Sequence, residues 1–421
     1  MKKNIFGIIV AITIAVVLFS SCKKDKEENP NLDVNTEFLN TMEYWYLWYD
    51  KLPDVDPGAY SSPAQLLEAL RYSELDRWSY ITTKQEMEAY YEAGEYIGFG
   101  MGTAFDEEDN LWITFVFDDS PLKEFGADRG WQITKIDDTT PTPENISDLL
   151  GSSSEGVTKS FTAKNNEGNS VDFTATKRVV TMNTVLLDTT YNGNNSNIGY
   201  LVLKGFITPT NNELDEAFSK FLLEGVNELI VDLRYNGGGS VDAANYMANL
   251  IAGQTADNEI LGEYVHNDKR SENDVAIYIE NETNSLIINR VVFITTRNSA
   301  SASELVINGL KPHIPITLVG ENTYGKPVGM YGLGSNLTDY AYVPVCFKIL
   351  NADGYGDYYE GIPADIEQID GINYPFGDLN EPSLNSAITF IDSGEKIKAT
   401  HKAGAITYPN FTGLQGEIGA W

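Results

Sequence analysis

Cysteine and histidine are nearly absent from this chain of 421 residues, which carries two of the first and three of the second. Two thiols cannot build a disulfide framework, so the fold must rest on its apolar core. His266, His313 and His401 are scattered, and none has a second histidine, a cysteine or a paired carboxylate at metal-ligand spacing, which argues against a zinc site. A Ser/His/Asp triad assembles in space and stays open, although no segment around these histidines resembles one. Basic residues are scarce as well: 29 Lys and Arg face 61 Asp and Glu, a net charge of −32. Phosphate backbones repel such a surface, and no basic helix or aromatic-basic interleaving stands out, so nucleic acid is not an expected partner. The excess acid reads as a solvated surface.

With 42% hydrophobic residues, 36 glycines and 16 prolines, the length accommodates two to four globular domains rich in turns. The first 22 residues read as a targeting signal. Met1, Lys2 and Lys3 are followed by an apolar run from Ile5 to Phe19, shorter than a spanning helix, and then by Ser20, Ser21 and Cys22. This pattern resembles a bacterial lipoprotein signal. It implies lipidation at Cys22, a membrane attachment through that anchor, and a place in the bacterial cell envelope at the outer membrane, on its periplasmic or its surface-exposed face. Residues 23–36 are charged and read as a disordered tether. The other cysteine, Cys346, lies in an apolar run over 340–347 and reads as a buried strand residue.

Residues 37–92 have a helical pattern. Phe38, Met42, Trp45, Tyr46 and Trp48 recur at helical spacing as a core stripe, and Pro63 opens a second helix running to Leu70. Residues 93–180 change to strands and turns. Their order resembles a PDZ domain, which implies peptide capture by strand addition at Gly98, Phe99 and Gly100, whose backbone N–H groups would hold a terminal carboxylate. Residues 181–393 alternate strands and helices, with strands over 198–203 and 228–233 and a helix over 212–223, so the chain is α/β, an α+β multidomain protein. The tail, 394–421, shows no interpretable motif.

The chemistry concentrates in two places. Asn298-Ser299-Ala300-Ser301-Ala302-Ser303-Glu304 puts serines in a small-residue turn, and Thr323-Tyr324-Gly325-Lys326 follows with a lysine. A hydroxyl attacks carbonyls poorly unless a base takes its proton, and a desolvated amine is such a base. The segment 299–329, together with Val231-Asp232-Leu233-Arg234-Tyr235-Asn236 and the glycines after it, resembles the C-terminal processing peptidases, the tail-specific proteases of family S41. The resemblance runs from about residue 95 to 380. It implies a crotonase-like protease core, Ser301 as nucleophile, Lys326 as general base and protein or peptide substrates. No cofactor and no metal are expected, and the oligomeric state stays open. Many relatives carry glutamine where this chain has Met330.

The spacing 326 − 301 = 25 leaves room for a helix over 304–311 and a strand over 316–319 between the two residues. The glycine run at a strand-to-helix junction lacks a P-loop ending and dinucleotide spacing, so nucleotide binding is the weaker reading. Its N–H groups at Gly238 or Gly239, joined by that of Ala302, suit an oxyanion hole. Glu304 reads as a partner of the first helical turn. Glu360 has two open roles, structural or substrate-positioning. Two rival functions stay open: a non-catalytic ligand- or peptide-binding protein on the same fold, and an acyl-CoA enzyme, for which no basic patch is evident.

Overall fold

The computed structural model describes residues 33–194, 196–396 and 406–421. Cys22, the signal segment, nearly all of the tether and His401 lie outside the described residues. Among those described, no helix is long and apolar enough to cross a membrane.

A six-stranded sheet forms the α/β half. Its strands run in the order Ile366–Glu367, Ile316–Gly320, Val291–Thr295, Glu228–Asp232, Asn197–Leu203 and Val185–Asn192, all parallel except the last. Glu228–Asp232 and Val291–Thr295 are buried along their whole length, as strands covered on both faces must be. One face is covered by the helices Thr210–Leu223, Val241–Ala256 and Ala302–Leu310, whose Leu214, Phe218, Met247, Ile251 and Val306 join one core with Leu229, Val231 and Phe293. The helix Pro382–Ser393 covers the opposite face through Leu384, Ala387 and Ile391.

The helices expected over 212–223 and 304–311 start two residues early, at Thr210 and Ala302. Pro63–Leu70 is helical as read, with the Ser62 hydroxyl accepting from the Gln65 N–H at 3.3 Å. The first helix, Val34–Trp45, ends before Tyr46 and Trp48, because the Leu47 N–H turns outward to bond the Val345 carbonyl at 2.8 Å. Both aromatics still reach the core, packed with Phe38, Leu66, Trp78, Tyr342 and Val345. Residues 37–92 are not wholly helical: Tyr80–Thr83 is a strand paired antiparallel with Tyr340–Val343. Cys346 is fully buried, and burial pushes its thiol up to about 12.

Residues 101–176 build a separate antiparallel sheet of five strands, ordered Met101–Phe105, Leu111–Val116, Gln132–Ile136, Thr158–Lys164 and Ser170–Thr176. Met101–Phe105 is an edge strand. This body is fastened to the α/β half by Arg129, a buried side chain from the loop before Gln132–Ile136. Its guanidinium donates to Asp370 (2.8 Å), to the Thr114 and Gly371 carbonyls (3.0 and 3.2 Å), and to the Tyr235 hydroxyl, while its Nε reaches the Tyr374 carbonyl (2.8 Å). Asp370 also accepts from Arg234 at 2.9 Å, and Arg234 continues to Glu381 (2.8 Å) and Asp232 (2.6 Å). Burial alone would raise the Asp370 carboxyl, but Arg129 and Arg234 outweigh it and hold the group below its usual value.

Replacing Asp370 with Asn leaves two buried guanidinium groups short of an anion, and the expected loss in urea unfolding is about 3–5 kcal/mol. Because the folded carboxyl is depressed, its stabilisation is full above the ordinary carboxylate range and is lost as pH falls through the folded value. The gap between parent and Asp370→Asn should therefore narrow below about pH 4.

Candidate active site

Three loops leave the C-terminal ends of three adjacent parallel strands: residues 233–239 after Asp232, 296–301 after Thr295 and 321–326 after Gly320. In an open parallel sheet this edge is where side chains from different loops converge. The serine turn is strapped to its neighbour. Ser299 Oγ donates to the Leu233 carbonyl at 2.8 Å and accepts from the Thr296 N–H at 3.0 Å, while Ser303 Oγ donates to the Asn236 carbonyl at 3.0 Å. Both hydroxyls are fully buried and committed to the main chain. Ser301 is half-buried and sits at φ 56°, ψ −111°, a conformation that costs a non-glycine residue about 1–3 kcal/mol. A serine forced into such a turn at a helix start is presented rather than packed away.

The clamp that holds this turn is Glu304, on the first turn of the helix Ala302–Leu310 and 0% exposed. Its carboxylate accepts from the Ser301 N–H at 2.9 Å. It also accepts from the lysine loop: Thr323 Oγ1 at 2.5 Å, Gly325 N–H at 2.7 Å and Lys326 N–H at 2.8 Å. Burial raises its carboxyl above the usual value, partly offset by these four donors. Glu304 does more than the first-turn role read from the sequence: it joins the serine turn to the lysine loop. The Tyr324 N–H adds a second tie to the Ser299 carbonyl at 3.0 Å.

Lys326 is buried, and desolvation lowers its ammonium from the ordinary value despite the opposing pull of Glu417, Glu304 and Asp76. Its Nζ lies 3.9 Å from a carboxylate oxygen of Glu417. Among the described residues no hydrogen bond links Nζ to the Ser301 hydroxyl. Met330 ends the short strand Val328–Met330 and packs against apolar neighbours, so the lysine loop takes its position from Glu304 instead. The N-terminal region braces the same loop from outside. Arg77 donates to the carbonyls of Tyr324 (3.4 Å), Gly325 (3.3 Å) and Tyr359 (3.4 Å), and Asp76 holds the bend by accepting from the Trp78 and Ser79 N–H groups at 2.9 Å each.

Of the oxyanion candidates, Gly238 lies against Ser301: a Cβ there would fall 2.8 Å from Ser301 Cβ and 3.0 Å from Ala302 N, so only glycine fits. The Gly238 N–H, however, donates to Asn236 Oδ1 at 2.9 Å. The N–H groups of Ala302 and Gly239 have no acceptor among the described residues. Gly98, Phe99 and Gly100 lie apart from the serine, on the β-rich body. Glu360 is exposed, and among the described residues its carbonyl is engaged by Arg297 at 3.5 Å. His266 bonds Asp274 at 2.9 Å and Tyr331 at 3.0 Å, and His313 bonds the Ile260 carbonyl at 2.8 Å.

A cavity of about 810 Å³ opens beside Lys326, Gly237 and Ala300 and is walled on its other side by residues 406–413, Gly416, Glu417 and Gly419. Those tail residues, Arg77 and the bridging role of Glu304 escaped the sequence reading. Only Arg77 carried a signal, the Asp76-Arg77-Trp78-Ser79-Tyr80 string.

Glu304→Ala should leave two loop N–H groups and the Thr323 hydroxyl without their acceptor. We expect it to lose about 3–5 kcal/mol of stability in thermal or urea unfolding and nearly all peptidase activity. Parent-like melting with parent-like turnover would refute the clamp.

The comparisons agree with this geometry. The family model for peptidase family S41 matches residues 197–367, and that for the peptidase S41 N-terminal domain matches residues 33–80. A probable CtpA-like serine protease of Staphylococcus haemolyticus is 26% identical over 369 residues, covering 85% of this chain and 69% of that protein. The crystal structure of a protein assigned as an S41 protease from Bacteroides fragilis superposes with a TM-score of 0.73 at 25% identity, over 85% of this chain and 97% of the other. A photosystem II D1 C-terminal processing protease shares the fold at a TM-score of 0.50 and 20% identity, over 80% and 92% of the two chains. With its serine turn, lysine loop and N-terminal brace each inside a matched region, the chain belongs to peptidase family S41, the C-terminal processing peptidases, and is a serine-type peptidase.

Proposed function

We propose that this peptidase hydrolyses peptide bonds with a Ser301/Lys326 dyad and selects substrates through their C-termini at the β-rich body. The observation that carries the dyad is the contrast among the three serines: Ser299 and Ser303 spend their hydroxyls on main-chain carbonyls, whereas Ser301 is held strained and accessible by Glu304. Neutral Lys326 takes the hydroxyl proton as Ser301 Oγ attacks the substrate carbonyl. The lysine then returns that proton to the leaving amine, and a water repeats the cycle on the acyl-enzyme. The Ala302 N–H is the first oxyanion donor. Gly238 becomes the second once its N–H is released from Asn236.

Ser301→Ala and Lys326→Ala should each lower turnover by about 10³-fold or more, and a fluorophosphonate should label the parent at Ser301. Ser299→Ala keeps measurable turnover and costs about 1 kcal/mol of stability. Because Lys326 works as a neutral base, kcat/KM should rise with pH along one ionisation lying below the ordinary lysine value, then level off. The linkage has the opposite sign to that of a paired lysine: a depressed lysine burdens the fold at low pH, and the burden fades as pH rises through its folded value. Lys326→Met should therefore be inactive yet melt no lower than the parent at neutral pH. A dead Ser299→Ala beside an active Ser301→Ala would overturn the assignment.

Residues 93–180 fit a PDZ-like role because Met101–Phe105 is a sheet edge next to Gly98, Phe99 and Gly100. The signal pattern ending at Cys22 supports a lipid anchor in the cell envelope. Cys22→Ser should abolish fatty-acid labelling and shift mobility, and retained label would remove the anchor from the proposal.

A further inference from the structure

Residues 406–421 run from the sheet edge at Phe105, along the wall of the cavity beside Lys326, to the glycine loop at 98–100. The segment enters along the sheet edge, where Thr407 and Phe105 exchange main-chain hydrogen bonds of 2.8 and 2.9 Å. It ends at the glycine loop. The Trp421 carbonyl accepts from the Phe99 N–H at 2.6 Å and the Gly100 N–H at 2.9 Å, and the Trp421 N–H donates to the Met101 carbonyl at 2.8 Å. A Cβ on Gly98 would fall 2.7 Å from that carbonyl, so the contact exists only because position 98 is glycine. The indole sits among Phe99, Met101 and Phe411, and its Nε1 donates to Thr103 Oγ1 at 2.8 Å.

Between these ends the segment crosses the catalytic loops. The Gly416 and Glu417 carbonyls stand 3.3 and 3.4 Å from where a Gly237 Cβ would be. Glu417 is bound by the Tyr91 hydroxyl, lies 3.5 Å from the Tyr80 hydroxyl and reaches to 3.9 Å from Lys326 Nζ. Tyr408 Oη donates to Asp370, the carboxylate that fastens the β-rich body, at 3.5 Å.

We propose that residues 406–421 are an internal ligand that occupies the peptide-capture edge and walls in the cavity beside Lys326, so that a substrate must displace them before it is cleaved. This rests on the Ser301/Lys326 and PDZ-like readings above. Strand addition at the edge, a buried aromatic ring at the glycine loop and a carboxylate facing the general base make one continuous path along the segment. Glu417 favours the charged, inactive form of Lys326, while Glu304 and Asp76 face the same ammonium from the helix and the N-terminal brace. The displacing substrate belongs to a definite class: an extended peptide whose residue at the glycine loop is aromatic, tryptophan above all, since Thr103 Oγ1 is placed to accept from an indole.

The test uses the full chain, a chain ending at residue 405, and Trp421→Ala and Glu417→Gln variants of the full chain. A fluorescent synthetic peptide of residues 406–421 should bind the shortened chain and Trp421→Ala at least about tenfold more tightly than the full chain, because a tethered ligand competes at high effective concentration. Reporter-peptide kcat/KM should rise by a similar factor in both, and the free peptide should inhibit them competitively. Glu417→Gln should move the rising limb of the pH profile to lower pH without loss of fold. If the shortened chain fails to fold, the two substitutions decide alone. Equal peptide affinity for parent and Trp421→Ala, with unchanged kcat/KM, overturns the proposal. Running the binding assay in Ser301→Ala separates it from the dyad: displacement there with full hydrolysis by Ser301→Ala would sink the dyad and leave the internal ligand standing.

Discussion

One buried carboxylate fixes the geometry on which this site depends. Glu304 contributes two oxygens and receives four donors from two loops that leave different strands. Without it the serine turn has no reason to stay at φ 56°, and the lysine loop would be tied to that turn chiefly through Tyr324. A charge buried this deeply is costly unless every lone pair is used, and here nearly all are. In the proposed mechanism Lys326 faces the opposite requirement, because a base takes a proton only if its own charge is poorly satisfied, so one residue is saturated and structural and the other starved and reactive.

A second buried cluster does for the domains what Glu304 does for the loops. Asp370 receives Arg129 from the β-rich body and Arg234 from the strand end that begins the glycine loop. The Tyr235 hydroxyl, one residue from Asn236 and two from Gly237, donates to the same carboxylate. The β-rich body and the loop that borders Ser301 are thereby joined through a few bonded side chains. The low exposure of every member makes the arrangement all or nothing.

Much of this was legible in the sequence, and for definite reasons. The strands over 198–203, 228–233 and 316–319 stood out as short apolar runs, while Val291–Thr295 and Ile366–Glu367 did not, and the serine and lysine motifs are contiguous strings whose chemistry follows from their residue types. What stayed hidden was whatever depends on residues far apart in the chain. Glu304 looked like a helix-start carboxylate because its partners at 323–326 are brought to it only by the fold. Arg129 and Asp370 sit in unremarkable loops. Residues 406–421 have no period and no motif, since their conformation is dictated by the sheet edge and glycine loops that receive them. The helix Val34–Trp45 ran shorter than its aromatic stripe because a main-chain bond to Val345 diverts the chain, an event no local pattern encodes.

The scatter of the site along the chain governs when the molecule becomes dangerous to its neighbours. Arg77 meets the Gly325 carbonyl across 248 positions, and Arg129 meets Asp370 across 241. Contacts of such separation form late, after the local helices and hairpins have condensed. A nascent or partly folded copy therefore has its serine and lysine without the brace that aligns them, and cannot digest the chains being made and moved alongside it. Hydrolytic competence arrives only with the last long-range closures, so the topology itself acts as a timer.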